Sequence, residues 1–237
     1  MPRLHRQLVT ELIAQITSGE LVEGASLPRE ADLAERFDVS RGVARESFRA
    51  LEERGLIRVK HGRGATVRPA DEWDLFDGEV MAGMLSGPRA APAVAASLEC
   101  LRIVEVEAAG LAAERATSED LSALWQALEH MKEAVLRAEV GASAGERARR
   151  AELAFHRALM QATRNPSLAR IGEPLHEALA VARRARRGDG PAPRVGDYEE
   201  LFEAVSQGDA KAARFGIRRC LDELGRELAE PAGTGLG

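Results

Sequence analysis

The segment from residue 27 to residue 68 constrains this chain more than any other. It reads LPREADLAERFDVSRGVARESFRALEERGLIRVKHGRGATVR. A short amphipathic stretch is followed by a turn at Asp38-Val39 and by a second helical stretch that begins after Ser40. Two β-prone runs then flank a basic, glycine-containing loop. This order is that of a winged helix-turn-helix, a fold whose second helix enters the major groove of DNA.

The second helix of this segment carries its positive charge on one side. Ser40 can cap it by accepting a hydrogen bond from the first turn. Arg41, Arg45 and Arg49 recur every four residues, so they cover only about 80° of the helix circumference. Arginine forks at the start of such a helix match the O6 and N7 acceptors of guanine. Taken alone, three arginines are more often just a solvated helix face.

Local charge favours the DNA-binding interpretation. Residues 40–68 hold eight Lys or Arg against three Asp or Glu, whereas the whole chain has a net charge of −5. Positive charge is therefore concentrated where phosphates would lie. In the loop between the β-prone runs, His61, Gly62 and Arg63 are further candidates, because the glycine allows close approach to a sugar–phosphate backbone.

These residues resemble the N-terminal domain of the GntR family of bacterial transcription regulators. The similarity spans residues 5–68 and is carried by Leu27-Pro28-x-Glu30, Asp32-Leu33-Ala34, Val39-Ser40-Arg41, Val43-Ala44-Arg45-Glu46, Leu51, Gly55-Leu56-Ile57 and Gly62-x-Gly64. The resemblance implies that Arg41 and Arg45 read bases, that Arg49 lies nearer to phosphates and that His61-Gly62 enters the minor groove. Many relatives have a basic residue where this chain has Ala31, so its sequence preference is expected to differ.

Length and composition predict two domains. The 237 residues exceed the usual size of one domain, and 45% of them are apolar. We expect a DNA-binding domain at residues 1–69, a linker at 70–76, a helical effector-binding and dimerisation domain at 77–229 and a disordered tail at 230–237. No membrane-spanning run or signal-peptide pattern is seen, and two isolated cysteines suit a reducing compartment, so a cytoplasmic protein is expected.

Helical periodicity dominates after residue 77. We predict helices near 78–85, 91–115, 118–138, 145–163, 167–187, 194–206 and 209–229, with breaks at glycine, proline, serine and threonine positions. The expected fold is therefore mainly α: a winged helix-turn-helix with a small β-hairpin wing, followed by an antiparallel bundle of about seven helices.

Glu152 and His156 are the most notable pair in the predicted bundle. Being four residues apart, they lie on one helix face and could place two ligands on one ion. Such a pair is more often a surface ion pair or a helix-stabilising contact. A metal-dependent enzyme built on these two residues is an alternative, but no nucleophile–base pair or phosphate-binding loop accompanies them, and we predict no catalytic residues.

The second half of the chain resembles the helical effector-binding domain of the FadR-type subgroup. Arg102 with Glu105, Phe155-His156 and Asn165 carry this resemblance over residues 73–228, and Trp73 with Phe76-Asp77 resemble the linker of sugar-acid-responsive members. In much of the subgroup an acidic residue and three histidines bind a divalent metal that grips a carboxylate effector. Here Glu152 and His156 align with two ligands, but Tyr198 and Cys220 stand where two histidines are expected.

These departures favour a pocket that binds an organic anion directly. Tyrosine is a poor metal ligand at neutral pH, since its reference pKa is about 10, and Cys220 lies on an apolar stripe. No cofactor is expected, although a divalent metal at Glu152 and His156 stays open. The predicted effector-binding residues are Arg102, Glu152, His156, Asn165, Tyr198 and Cys220. Arg102 is the carboxylate candidate because its fork matches a carboxylate, although an ion pair with Glu105 or Glu99 is the simpler role.

The sequence thus predicts a ligand-responsive transcriptional repressor that binds a palindromic operator as a homodimer. Its effector would be a small acidic metabolite such as a sugar acid or another carboxylate. An acyl-CoA effector is the alternative within the same subgroup, with phosphate groups held by an arginine cluster at residues 183, 184, 186 and 187. Because these residues end a predicted helix, their charge can equally serve the helix dipole.

Overall fold

A computed structural model describes residues 3–60, 64–137, 144–187 and 193–229. The predicted tail at 230–237 and the loop residues His61, Gly62 and Arg63 lie outside the described residues. The chain forms two compact units, Met1–Ala93 and Val94–Gly237. Within the described ranges, no helix is both long and apolar enough to cross a membrane.

The first unit is a winged helix-turn-helix followed by one more helix. Its helices and strands are α1 (Arg3–Ser18), α2 (Glu30–Arg36), α3 (Arg41–Glu53), β1 (Ile57–Lys60), β2 (Gly64–Val67) and α4 (Gly78–Ser86). β1 and β2 pair antiparallel, with Ile57 opposite Val67 and Lys60 opposite Gly64. One face of this wing is buried together with α1 and α3, which anchors the hairpin to the helices. The apolar side chains of this core include Leu8, Leu12, Ile16, Phe48, Leu51, Leu56, Ile57 and Val67.

A glycine fixes the passage from α3 into the wing. Gly55 has φ of +72°, in the left-handed region that side chains disfavour, and a Cβ there would lie 2.3 Å from the carbonyl oxygen of Glu72. The segment after the wing therefore packs directly on this turn. Trp73, in that segment, is buried, and its indole Nε1–H donates to the carbonyl of Arg68 at 3.0 Å.

α4 lies in the first unit, whereas the sequence placed residue 77 at the start of the helical domain. Asp77 caps α4 by accepting hydrogen bonds from Glu79 N and Val80 N. The buried face of α4 includes Val80 and Met84, and the helix packs on α1. In the sequence, periodicity shows that this face is buried, but it does not show which helix covers it. It could therefore not show to which domain α4 belongs, and the domain boundary at residue 77 remains a prediction.

The second unit contains six helices in the described ranges. They are α5 (Ala90–Arg115, which begins in the first unit), α6 (Ser118–Leu136), α7 (Ala144–Ala162), α8 (Pro166–Arg187), α9 (Val195–Ser206) and α10 (Ala210–Ala229). The main packed pairs are α6 with α7, α9 with α10, α7 with α8 and α6 with α9. The predicted mainly α fold, with its hairpin wing and a succession of seven helices after residue 77, is confirmed for the described residues. Helix ends fall within two residues of their predicted positions.

Candidate functional sites

The exposed face of α3 is the first candidate site. The cap expected at Ser40 is present, because its Oγ accepts a hydrogen bond from Val43 N at 3.2 Å. Ala44, Phe48 and Leu51 are buried against the rest of the first unit. The helix is therefore fixed by its apolar side, and its opposite side faces solvent.

The three arginines predicted to contact DNA are all exposed on α3. Arg45 Nε lies 3.4 Å from Glu30 Oε2, and Arg49 Nε lies 3.6 Å from Glu53 Oε1. Exposed ion pairs of this kind contribute only about 0–1 kcal/mol. Arg45 can therefore leave Glu30 for a base edge at small cost. The wing residues predicted to contact DNA, His61, Gly62 and Arg63, fall outside the described residues, and their roles remain predictions.

A buried network of polar side chains is the second candidate site. It runs through five helices of the second unit, and we call it the polar chain. In order of contact, it consists of His176, Glu105, His156, Tyr198, Glu152, Arg183 and Glu227. Such a network is costly to bury unless its members satisfy one another, so its presence at the centre of a helical bundle calls for a functional explanation.

His156 lies between Glu105 and Tyr198 in the polar chain and donates from both ring nitrogens. Its Nδ1 lies 2.9 and 3.0 Å from the two carboxylate oxygens of Glu105, which can only accept when ionised. Its Nε2 lies 3.2 Å from the Tyr198 hydroxyl, whose own hydrogen is donated to Glu152 Oε1 at 2.8 Å. Both nitrogens must then carry hydrogen, so His156 is an imidazolium.

Electrostatics agree with this protonation state. Burial by itself would lower the pKa of His156, but the charge of Glu105 and the hydrogen bond to it outweigh burial and raise the pKa above the ordinary 6.5. Conversely, burial would raise the pKa of Glu105, yet His156 and His176 together lower it to about 2. Glu105 is fully buried, and its Oε1 also lies 2.6 Å from His176 Nε2. It is therefore a carboxylate held between two imidazoles.

The other end of the polar chain is an arginine between two carboxylates. Arg183 is 5% exposed, and its NH1 donates to Glu152 Oε2 at 2.7 Å. Its Nε lies 2.5 Å from Glu227 Oε2. A cavity of about 40 Å³ is bordered by members from both halves of the polar chain, with Glu152, His156, His176 and Arg183 among its lining residues.

Three of the six predicted effector residues meet in the polar chain: Glu152, His156 and Tyr198. Cys220 is buried in the same unit, and burial raises the pKa of its thiol strongly, so it is protonated. Asn165 instead caps α8, where its Oδ1 accepts from Ser167 N at 3.1 Å.

Arg102 is not brought to the polar chain. Its side chain is 43% exposed, and its NH2 lies 2.8 Å from Asp222 Oδ1 on α10. Sequence reasoning missed Glu105, His176 and Glu227 as site residues, and it considered Arg183 only as one of a cluster that could hold the phosphates of an acyl-CoA. The available signal was position: Glu105 is four residues after Leu101 and three before Ala108, on the inward face of α5.

The donor set at the positions where the resemblance predicts metal ligands does not fit a metal ion. Only Glu152 and His156 offer suitable groups there, and His156 Nε2 already carries a hydrogen. Burial raises the pKa of Tyr198 well above its ordinary 10, so the phenol does not ionise. Elsewhere among the described residues, one ligand atom each from Glu105, His156 and His176 lie within 4.8 Å of one another.

This second group is also arranged for hydrogen bonding rather than coordination. Its carboxylate–imidazole distances are 2.6–3.0 Å. Ligand atoms around a tetrahedral ion with bonds of about 2.0–2.1 Å would lie roughly 3.3 Å apart. An ion would therefore have to push the three side chains apart and displace the hydrogen on His156 Nδ1. The geometry favours a metal-free polar network.

Comparison with known proteins agrees with this architecture. The family model described as "Bacterial regulatory proteins, gntR family" matches residues 4–67, and the FCD domain model matches residues 96–223. The galactonate operon transcriptional repressor of Escherichia coli K12 is 32% identical over 227 residues, covering 94% of this chain and 96% of that protein. The regulator LutR of Bacillus subtilis is 32% identical over 205 residues, with 84% and 89% covered.

The fold has also been observed in solved structures. Lar of Listeria monocytogenes shares 20% sequence identity with this chain, with a TM-score of 0.62 over 96% of this chain and 97% of that one. At this identity the likeness shows a shared fold only. The family assignment rests on the sequence matches. These matches also agree with the expectation that the chain is not an enzyme. The chain belongs to the GntR family of ligand-responsive, DNA-binding transcription regulators, with an FCD effector-binding domain of the FadR type.

Proposed function

We propose that this regulator is a repressor that binds a palindromic operator as a homodimer and releases it when a small carboxylate effector enters the FCD domain. The observation that carries the proposal is the buried polar chain. It places an arginine and an imidazolium in the lining of one cavity, and the Tyr198 hydroxyl is hydrogen-bonded to two residues of that lining, His156 and Glu152. These are donors suited to a carboxylate and to the hydroxyls of a sugar acid.

The names of relatives support a sugar acid as the effector class. The galactonate operon repressor of Escherichia coli is one similar protein. Others are NanR repressors and the Uxu operon regulator. The residues proposed to contact the effector are Glu152, His156 and Tyr198, with buried Cys220 as a packing neighbour. Arg102 remains a proposal from the sequence, and it would have to leave Asp222 to act. Asn165 would act only through the start of α8.

Effector binding would change operator affinity by favouring one relative position of two DNA-reading units over another. The effector must bind the two states differently, because equal affinity for both would shift nothing. The present cavity of about 40 Å³ would have to open for any of the candidate effectors, and it would have to open most for an acyl-CoA. A thermal-shift series over sugar acids, dicarboxylates and an acyl-CoA separates these classes by which compound raises the melting temperature.

Dimerisation is the second testable part of the proposal. One helix-turn-helix unit makes too few phosphate contacts for useful affinity, and two units on a palindrome must lie about one helical turn apart. Light scattering should give roughly twice the 25.6 kDa chain mass. Footprinting on the DNA upstream of its own gene should show two protected half-sites with that spacing. A stable monomer that still protects a palindrome would contradict the proposal.

Metal independence is the third testable part. Purified protein should contain little stoichiometric zinc, nickel or manganese, and EDTA should barely change its melting temperature, because the groups that could bind an ion, Glu105, Glu152 and His156, are already hydrogen-bonded to other members of the polar chain. Elemental analysis is the measurement. About one metal per chain, lost in both His156→Ala and His176→Ala, would show that Glu105, His156 and His176 coordinate an ion. Loss in His156→Ala alone would point instead to Glu152 and His156.

A further inference from the structure

Arg183 is a buried cation with one more anionic partner than its charge requires. Glu152 on α7 and Glu227 on α10 both approach it, at 2.7 and 2.5 Å. Burying a charge is costly, so a buried arginine needs a partner, but one carboxylate suffices to neutralise it. The second carboxylate therefore adds negative charge to the interior of the domain. This extra buried carboxylate is expected to lower the stability of the domain.

Of the two carboxylates beside Arg183, Glu227 has the less favourable hydrogen-bond geometry. Although Arg183 Nε and Glu227 Oε2 are close, the N–H is not aligned with the oxygen, and neither atom has a hydrogen-bond partner. Glu152, by contrast, accepts aligned hydrogen bonds from both Arg183 and Tyr198. Burial also raises the pKa of Glu227 despite the nearby arginine. Displacing Glu227 thus breaks a close but poorly aligned ion pair, whereas displacing Glu152 would break two aligned hydrogen bonds.

The cavity beside Arg183 is too small for an effector as it stands. Its volume of about 40 Å³ leaves room for a few water molecules at most. Arg149 and the apolar side chains of Leu153, Leu179, Ala180 and Leu224 also line it. A sugar acid can therefore enter only if a side chain that now fills the site moves away. The Glu227 carboxylate already occupies a position from which a ligand carboxylate would contact Arg183.

We propose that Arg183 is the residue that receives the effector's carboxylate, and that Glu227 is an internal stand-in that the effector displaces. This inference rests on the proposed function, because it assigns the anchor of the same effector site. The guanidinium fork then exchanges one misaligned carboxylate for a ligand that can accept two parallel hydrogen bonds. Glu152 and Tyr198 stay in place and offer an acceptor and a hydroxyl to the ligand's own hydroxyl groups.

Calorimetric titration of the full-length protein tests the assignment. The probes are galactonate, gluconate and lactate, with the neutral polyol galactitol as the matched compound that lacks a carboxylate. Arg183→Gln should weaken binding of the best acid by on the order of 30-fold or more, because charge-assisted hydrogen bonds in a buried site are lost. Glu227→Gln should instead strengthen it several-fold, because the internal competitor loses its charge. A purely structural Arg183 would give no gain in Glu227→Gln.

Two further variants serve as controls, one for the loss of an arginine outside the cavity and one for a failure of Arg183→Gln to fold. Arg157 also lies between two glutamates, Glu173 and Glu177, at 2.9 Å from each, but it lies outside the cavity lining. Arg157→Gln is therefore the matched control and should leave the affinity unchanged. If Arg183→Gln fails to fold, the double variant Arg183→Gln/Glu227→Gln removes both charges together, and it should fold yet lose the acid.

The outcomes separate the assignment from the function on which it rests. Equal affinity of wild type and a folded Arg183 variant, or loss in Arg102→Gln without loss in Arg183→Gln, overturns the assignment alone. Failure of the wild-type protein to bind any acid, or equal binding of galactitol, overturns the carboxylate-effector proposal and the assignment with it.

Discussion

Replacing Glu105 with glutamine should lower the free energy of unfolding by about 3–5 kcal/mol, because breaking a buried ion pair leaves the opposite charge without compensation. Glu105 is fully buried and forms ion pairs with both His156 and His176. Glutamine keeps the shape of the side chain but removes its charge. Urea unfolding at pH 6 measures the difference.

The pH dependence of stability should change sign in this variant. In the wild type, the lowered pKa of Glu105 adds stability above its ordinary 4.5, which is lost as pH falls toward about 2. The raised pKa of His156 adds stability below 6.5, which is lost as pH rises through the raised value. Without Glu105, burial dominates at His156 and lowers its pKa, so acidification below 6.5 should destabilise the variant.

Glu99→Gln is the control for this experiment, because Glu99 is an exposed carboxylate on the same helix. It should change stability by less than about 0.5 kcal/mol. The melting temperatures of wild type and Glu105→Gln should differ most near pH 5–6 and converge at higher pH. Equal stability of the two proteins at pH 6 would mean that His156 is neutral, contrary to the hydrogen-bond geometry.

The second large effect concerns DNA. Arg41→Ala and Arg45→Ala should each cost on the order of 1–3 kcal/mol in operator binding and relax sequence preference, because each removes a fork that can read a base. Both side chains are exposed at the start of α3, so neither change should unfold the domain. Titration of a labelled operator and of mismatched sites by fluorescence anisotropy measures the affinity and the preference.

Arg150→Ala is a matched control for these variants. Arg150 is an exposed helical arginine of the second unit, paired with Glu146 as Arg45 is with Glu30. Its loss removes the same charge and should leave operator affinity nearly unchanged. Wild-type affinity in both α3 variants would remove α3 as the recognition helix.

Most helices and turns of the fold could be predicted from local patterns in the sequence. The cap at Ser40, the periodicity of the long helices and the turn residues between them are all encoded within a few neighbouring positions, so the helices could be placed closely. The partner of α4 could not be derived in this way, because its contact with α1 joins residues far apart in the chain. An apolar stripe shows which face of a helix is buried, but it does not show which other helix packs on that face.

The effector site shows the same limit more sharply. Glu152 and His156 were identified because they share one turn of a helix. Glu105 contacts His156 and His176, which lie 51 and 71 positions further along the chain, so only the fold brings them together. Arg183 looked like one member of a basic helix end, although its position four residues after Leu179 placed it on the inward face. Charged residues on an apolar stripe were the overlooked signal.

The most direct test of the central claim is operator release by an acid. Wild-type protein bound to its own operator, at a concentration near the dissociation constant, should lose affinity by at least five-fold when a saturating sugar acid such as galactonate is added, and it should not respond to galactitol. A coupling of this size corresponds to about 1 kcal/mol, the lower end for allosteric regulators. Unchanged operator binding with every acid that raises the melting temperature would contradict a carboxylate-responsive repressor.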